Sequence, residues 1–166
     1  DALTGGAGAD TFTFTAVNHS SGATVDSVTD YLTGTDKLAF TLNYSALVSG
    51  VTVVADVTTA AAGTSALAAT LTGNRGQAGY DTTNSVLNVN VNNDNLMTSL
   101  DYQVGIGAAS TAANSVVSAD INWTVTGTSS ADSITTGSGA DTVTASATGD
   151  TVVLGTGDDV YVLANL

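Results

Sequence analysis

Thr136-Gly137-Ser138-Gly139-Ala140-Asp141-Thr142-Val143 and Leu154-Gly155-Thr156-Gly157-Asp158-Asp159-Val160-Tyr161 decide how this chain folds. Each places an aspartate after a pair of glycines and an apolar residue two positions beyond it. Asp132, Asp141, Asp150 and Asp159 lie nine residues apart without a slip, followed in phase by Ile134, Val143, Val152 and Tyr161. Such a period marks a chain that repeats one short turn and one short strand. Glycine accepts a positive φ, so the turn can aim carbonyl oxygens inward, and the apolar residue starts a strand facing the interior. Two nine-residue half-turns make one coil of eighteen, so Asp132 should lie above Asp150 and Asp141 above Asp159.

Near the N-terminus, Gly5-Gly6-Ala7-Gly8-Ala9-Asp10-Thr11-Phe12-Thr13 spells the same unit. It matches G-G-x-G-x-D-x-U-x, the nonapeptide of the calcium-binding parallel β-helix. Strands in such a stack lie about 4.8 Å apart. Carboxylates that close repel by roughly 1 kcal/mol in water and by 3–4 kcal/mol at an effective dielectric near 20. A dication turns that repulsion into attraction, and Ca²⁺ accepts 6–8 oxygens in flexible geometry, on the order of what these turns offer. The two edges are not equivalent. Gly137, Gly139, Gly155 and Gly157 keep the turn glycines before Asp141 and Asp159, whereas Gly127-Thr-Ser-Ser-Ala-Asp132 and Ala145-Ser-Ala-Thr-Gly-Asp150 lack most of them. The expectation is an occupied edge between Asp141 and Asp159 and a weak or empty one between Asp132 and Asp150. Against calcium stands the plainer possibility that Gly, Asp, Ser and Thr simply mark polar turns.

Working outward, the chain has 166 residues, 15 Asp and no Glu, Lys37 and Arg75 as its only basic residues, and a net charge of −13. Two scattered basic residues supply no footprint for nucleic acid and none for an anionic membrane surface. No apolar run is long enough to span a bilayer as a helix. Valine and leucine recur, 43% of residues are hydrophobic, and helix-favouring Glu, Lys and Arg are almost missing, so the chain reads as folded and β-rich. Cysteine is absent, which fits either a reduced cytosolic protein or one exported unfolded and folded outside without disulfides. The sequence opens at Asp1 with no signal peptide, and reads as a piece of something longer.

The nonapeptides resemble those of the RTX (repeats-in-toxin) family. Val25-Asp26-Ser27-Val28-Thr29-Asp30-Tyr31-Leu32-Thr33-Gly34-Thr35-Asp36-Lys37-Leu38 is similar to the D-x-I-x-D-F-x-x-G-x-D-K-L stretch that follows an RTX array. The run from Tyr80 to Asn95 is similar to a strand, acidic turn and strand near the end of RTX C-terminal regions. The resemblance implies one-step export, folding on extracellular calcium, and an ion site involving Asp26, Asp30 and Asp36, unless these are solvated loop charges. A new array beginning after the capping region departs from a toxin or protease. Together with the Thr/Ala/Ser/Gly/Asn/Val composition, it resembles RTX-bearing bacterial surface-layer proteins; giant RTX adhesins have similar compositions.

Residues 14–125 read as a β-rich middle. Val51 to Val57 has strand composition. Leu87, Val89 and Val91 alternate with Asn88, Asn90 and Asn92 as a half-buried strand, and Asn93-Asp94-Asn95 turns towards a return strand from Leu100 to Ile106. Ser65 to Leu71 is expected to form one or two helical turns, and Trp123 to anchor the core or cover the open end of the second roll. Asn90, Asn92, Asp94, the Leu96 carbonyl and Asp101 fall at EF-hand spacing, but the glycine position holds Asn95, which favours a plain hairpin. His19 is the only histidine, which excludes His-based zinc sites and Cys/His pairs. Ser20 and Ser21 are mere sequence neighbours, not a triad. Paired aspartates serve glycosidases, but aspartates held in calcium turns are already ionised and coordinated. The pairs Gly105-Ile-Gly107 and Gly137-Ser-Gly139 lack the strand–helix setting of a phosphate loop.

The reading is therefore an all-β chain, with calcium-binding parallel β-roll or β-helix segments flanking a β-rich, sandwich-like middle. Residues 1–13 would end an upstream roll, 14–125 form the middle or capping region, and 126–166 a second roll. The metal residues expected are Gly5, Gly6, Gly8, Asp10, Asp26, Asp30, Asp36, Gly137, Gly139, Asp141, Gly155, Gly157 and Asp159, with Ca²⁺ as cofactor. No catalytic residues are expected. The function read is a non-enzymatic segment of an extracellular surface-layer protein that self-assembles into a lattice or filament on the bacterial cell surface, with cell-surface polysaccharide a further partner. The alternatives are a module of a secreted adhesin and the C-terminal secretion and folding region of an exported hydrolase.

Overall fold

A computed structural model describes residues 1–22, 24–61, 74–94, 98, 100–107, 116–146 and 149–164. The described residues are nearly all β and form two sheets. The strands are β1 (Ala2–Leu3), β2 (Thr11–Phe14), β3 (Asp26–Val28), β4 (Lys37–Asn43), β5 (Thr52–Ala61), β6 (Arg75–Asp81), β7 (Val86–Val89), β8 (Tyr102–Ile106), β9 (Ile121–Thr126), β10 (Ser133–Thr136), β11 (Thr142–Ser146), β12 (Thr151–Val153) and β13 (Val160–Ala164). One sheet runs β1-β3-β8-β7-β6-β5-β10-β12, the other β13-β11-β9-β4-β2.

The chain winds between these sheets. From β9 onward each strand lies in the sheet opposite its predecessor, and two nine-residue half-turns return the chain to the same edge. Thr142 accordingly pairs with Thr124 and with Val160, and Ser133 with Thr151, all in parallel. Those registers are eighteen residues long, as the aspartate period requires. The N-terminal coil is looser, pairing Thr11 with Lys37 and Ala2 with Ser27. Strands from residues 1–13, 14–125 and 126–166 share the same two sheets. β4 pairs with β9 and β9 with β11, so the sequence-separated nonapeptides occupy opposite ends of one stack.

The eight-stranded sheet contains an insertion. Between β8 and β10 lie β5, β6 and β7, the last two joined by an antiparallel hairpin. β5 pairs on its other side with β10 in parallel, Ala55 opposite Thr136. A bulge shifts the β5–β6 register between Val53 and Asp56, facing Gly76, whose φ of +82° only glycine adopts readily. A Cβ on Gly76 would lie 2.9 Å from the Ala55 Cα, so this position needs glycine for space as well.

The core lies between the sheets. Phe14, Phe40, Tyr102 and Trp123 form an aromatic cluster, with Phe40 at centroid distances of 5.3, 5.1 and 5.7 Å from the other three. Trp123 is therefore a core anchor and not a lid. Ile134 and Val143, the in-phase apolar residues of the repeat, are fully buried. Their successors are less so: Val152 is half-buried and Tyr161 is 45% exposed, because β12 and β13 are the outermost strands of their sheets. The asparagines of the middle differ from the alternating-face reading. Asn88 and Asn90 are as buried as Leu87 and Val89. The Asn88 amide donates to the Val86 carbonyl and its oxygen accepts from Gln103, so hydrogen bonds rather than water satisfy the second face. Residues 65–71, expected to be helical, lie outside the described residues.

Candidate metal centre

The stacked turns have a common polarity. The backbone N–H of an aspartate in one coil donates to the carboxylate of the aspartate in the next. Asp141 N–H donates to Asp159 Oδ1 at 3.0 Å, and Asp132 N–H to Asp150 Oδ1 at 2.8 Å. At the N-terminal end Asp10 N–H donates to Asp36 Oδ1 at 3.1 Å. The same rule reaches back beyond the repeats, where Trp123 N–H donates to Asp141 Oδ1 and Val51 N–H to Asp132 Oδ1, both at 2.8 Å. The stacked residues are paired as the period predicts, but each carboxylate meets the preceding coil's backbone through one oxygen. At three of these aspartates a second oxygen is left over. Asp10 Oδ2, Asp141 Oδ2 and Asp150 Oδ2 are buried and have no hydrogen-bond partner. An anionic oxygen shut away from water without a partner costs several kcal/mol, of order 1–3 or more, and a cation in the turn would remove that cost.

The glycine turns bring carbonyls to the same place. A Cβ on Gly155 would lie 1.8 Å from the Gly137 carbonyl oxygen, and one on Gly157 2.0 Å from that of Gly139. The carbonyls of Gly137 and Gly139 therefore point at the turn below, at Gly155 and Gly157. Thr156 N–H takes one lone pair of the Gly137 oxygen at 3.1 Å, and a carbonyl keeps a second for another ligand. Among the described residues no three His, Cys, Asp or Glu side chains converge on one point. Any dication here would be held by backbone carbonyls with one or two carboxylates, a hard-oxygen set that suits Ca²⁺. Burial pushes the Asp141 carboxyl above the ordinary range, the N–H from Trp123 pulling the other way.

The opposite edge is built differently. Thr128 stands where the turn glycines are missing, its N–H donating to Asp132 Oδ2 at 2.7 Å and its hydroxyl to Asp132 Oδ1 at 2.8 Å. With Val51 N–H also donating, Asp132 has both oxygens occupied by protein donors. Asp150 alone keeps a free oxygen there.

At the N-terminal end, Gly6 and Gly8 have φ of +98° and +128°, and Asp10 folds back over Gly5. Asp26, Asp30 and Asp36 do not converge with one another. Asp26 starts β3, its backbone N–H donating to Ser20 Oγ at 2.7 Å. Asp30 accepts the Gly5 and Gly6 N–H groups at 3.0 and 2.8 Å, Gly6 holding its carboxyl below the ordinary value most strongly. Asp36 spans the Asp10 and Leu32 N–H groups. Asp120 carries no motif, yet it is fully buried and secures the 29–36 turn. It accepts the Tyr31 hydroxyl at 2.8 Å and the Gly34 N–H at 3.0 Å, and Lys37 Nζ lies 3.3 Å away.

The remaining candidates are structural. Asp101 accepts the Val91 and Thr98 N–H groups inside its hairpin, as a plain turn requires; Asn95 and Leu96 lie outside the described residues. His19 is exposed in a short 3-10 turn, Val17–His19.

The family described as Peptidase M10 serralysin C terminal matches residues 1–118. The chain belongs to this family. Serralysin C-terminal domains are RTX-type calcium-binding β-roll regions of secreted proteins, and they are the non-catalytic part of serralysins. The match spans the first nonapeptide and the middle region and stops before the four-aspartate period. Comparison with curated proteins and with solved structures gave no match. No described helix is long and apolar enough to cross a membrane.

Proposed function

We propose that this serralysin C-terminal-type chain is a calcium-wound, non-enzymatic structural segment of a bacterial surface-layer protein. The calcium would sit in the turns containing Asp10, Asp141 and Asp159, and wind the coils as the exported chain meets it outside the cell. The observation that carries the calcium reading is the pair of buried, unpartnered Oδ2 atoms on Asp10 and Asp141; Asp150 Oδ2, on the edge that lacks most turn glycines, shares that feature, and the Asp159 turn enters through the Gly137 and Gly139 carbonyls that face it. Self-assembly is proposed on the Thr/Ala/Ser/Gly/Asn/Val composition, which is similar to that of RTX-bearing surface-layer proteins. Adding calcium to purified chain should produce ordered sheets or filaments by electron microscopy; monomers at every concentration would count against the lattice.

One observation favours the adhesin alternative. Gly50, Val51, Thr52, Asn74, Arg75 and Asn93 line a polar cleft of about 330 Å³. Arg75, one of two basic side chains, lies over the Tyr44 ring at 5.1 Å and donates to the Val91 carbonyl. An acidic glycan would suit it, and saturable binding of such a glycan by a monomer would favour this reading. The family match equally supports the third reading, the C-terminal region of an exported hydrolase. A catalytic signature upstream of Asp1 in the parent would select it.

A further inference from the structure

The Asp141 carboxylate faces away from the repeat below and towards the coil above, residues 116–123, which has no glycine–aspartate motif. Its Oδ1 accepts the Trp123 N–H, and its Oδ2 is buried with no hydrogen bond of ordinary geometry, in a residue with no exposed surface and with the buried Thr136 hydroxyl close enough to lower its carboxyl. The upper face of the turn is lined with oxygens the motif does not supply. A Cβ on Gly137 would lie 2.4 Å from Ser118 Oγ and 2.6 Å from Asp56 Oδ1. One on Gly139 would lie 1.7 Å from the Ile121 carbonyl oxygen and 3.1 Å from Asn122 Oδ1. Ser118 Oγ and Asn122 Oδ1 accept the N–H groups of Ser138 and Ala140 at 2.9 and 3.0 Å, which fixes both side chains over the turn. Each of those oxygens retains a further lone pair.

Asp56 reaches this place through the inserted strand. Ala55 is paired with Thr136, the residue before Gly137, and the bulge on β5 lies between Val53 and Asp56. A bulge re-aims the side chain that follows it. Asp56 Oδ1 accepts the Val57 N–H at 2.7 Å and keeps a further lone pair.

We propose that a second dication site lies above the 137–141 turn, formed by Asp56, Ser118, the Ile121 carbonyl, Asn122 and Asp141 Oδ2. It rests on the reading that the glycine turns take calcium, and it differs from the site below in drawing ligands from β5 and the 116–123 segment. Two carboxylates neutralise one dication, and three neutral oxygens with water complete a set of about 6–8. The site would lock the inserted strand to the coil, which the repeat motif alone cannot do.

Native mass spectrometry of the whole chain in calcium counts the ions. Asp56→Asn and Asp159→Asn should each bind one ion fewer than the unsubstituted chain, and the double variant two fewer. Ser118→Ala, which leaves every carboxylate in place, should weaken one ion by about tenfold or more, the usual size for loss of one supporting contact to a metal. Circular dichroism in calcium checks that each variant folds; should Asp56→Asn fail, Ser118→Ala carries the test. An unchanged count for Asp56→Asn with unchanged affinities for Ser118→Ala, while Asp159→Asn loses an ion, overturns this site and leaves the site below standing. No bound calcium on any chain overturns both.

Discussion

Replacing Gly155 by alanine tests the stacking of the turns. The new Cβ would lie 1.8 Å from the Gly137 carbonyl oxygen, 2.8 Å from its carbon and 2.9 Å from the Thr136 oxygen. Non-bonded contacts of this kind relax to on the order of 3.5 Å, and every neighbour is backbone, with no flexible side chain to yield. The two turns must separate, which breaks the Thr156 N–H bond to Gly137 and strains those joining Asp141 to Asp159 and Val160. The broken bond and the two strained ones together are worth about 2 kcal/mol, and forced overpacking adds about 1–3 kcal/mol. The expected loss is about 3–5 kcal/mol in urea unfolding with calcium saturating, with weaker calcium binding in titration calorimetry. Gly6→Ala is the control. Gly6 has φ of +98° but open space around it, so its cost is conformational only, about 1–2 kcal/mol. A Gly155→Ala loss no larger than that of Gly6→Ala would refute close stacking of the turns.

Three further outcomes follow from the same geometry. Asp132→Ala should destabilise the chain by about 2–3 kcal/mol alike with calcium and with chelator, since its oxygens serve protein donors; Asp141→Ala should chiefly weaken calcium binding in calorimetry, and equal calcium effects would contradict the difference between edges. Burial raises the Asp101 carboxyl above the ordinary value against its hydrogen bonds. The folded state therefore holds that proton more tightly, and its contribution to stability falls as pH rises from the ordinary carboxylate value through the raised one. Carboxyl-carbon NMR should find Asp101 above and Asp30 below the ordinary range, and the reverse order would contradict both environments. Phe40→Ala should cost about 3–5 kcal/mol by thermal or urea unfolding, because the ring touches three aromatic neighbours in a closed core; a loss below about 1 kcal/mol would contradict that packing.

The repeat was legible because its period equals half a coil. Nine residues between aspartates becomes an eighteen-residue register, and the phase of Ile134 and Val143 gives the buried face directly. The difference between the edges was legible too, in the missing glycines, although the part played by Thr128 was not. What lay beyond the sequence were contacts between distant segments. Nothing in Thr52–Ala55 announces pairing with Ser133–Thr136, so the inserted strands, the placement of Asp56 and the continuity of both sheets emerge only in the fold. Ser118, Asn122 and Asp120 belong to no motif and act by position alone. Asn88 and Asn90 misled for a physical reason: alternation reports polarity, and a polar side chain can be buried when neighbouring strands meet its hydrogen bonds.

The central claim is that dications hold the coils together. Far-ultraviolet circular dichroism of the whole chain, followed through thermal unfolding in chelator and then in calcium, tests it most directly. The account predicts that calcium restores β signal missing in chelator and raises the unfolding temperature. Identical spectra and identical unfolding temperatures in the two conditions would contradict it.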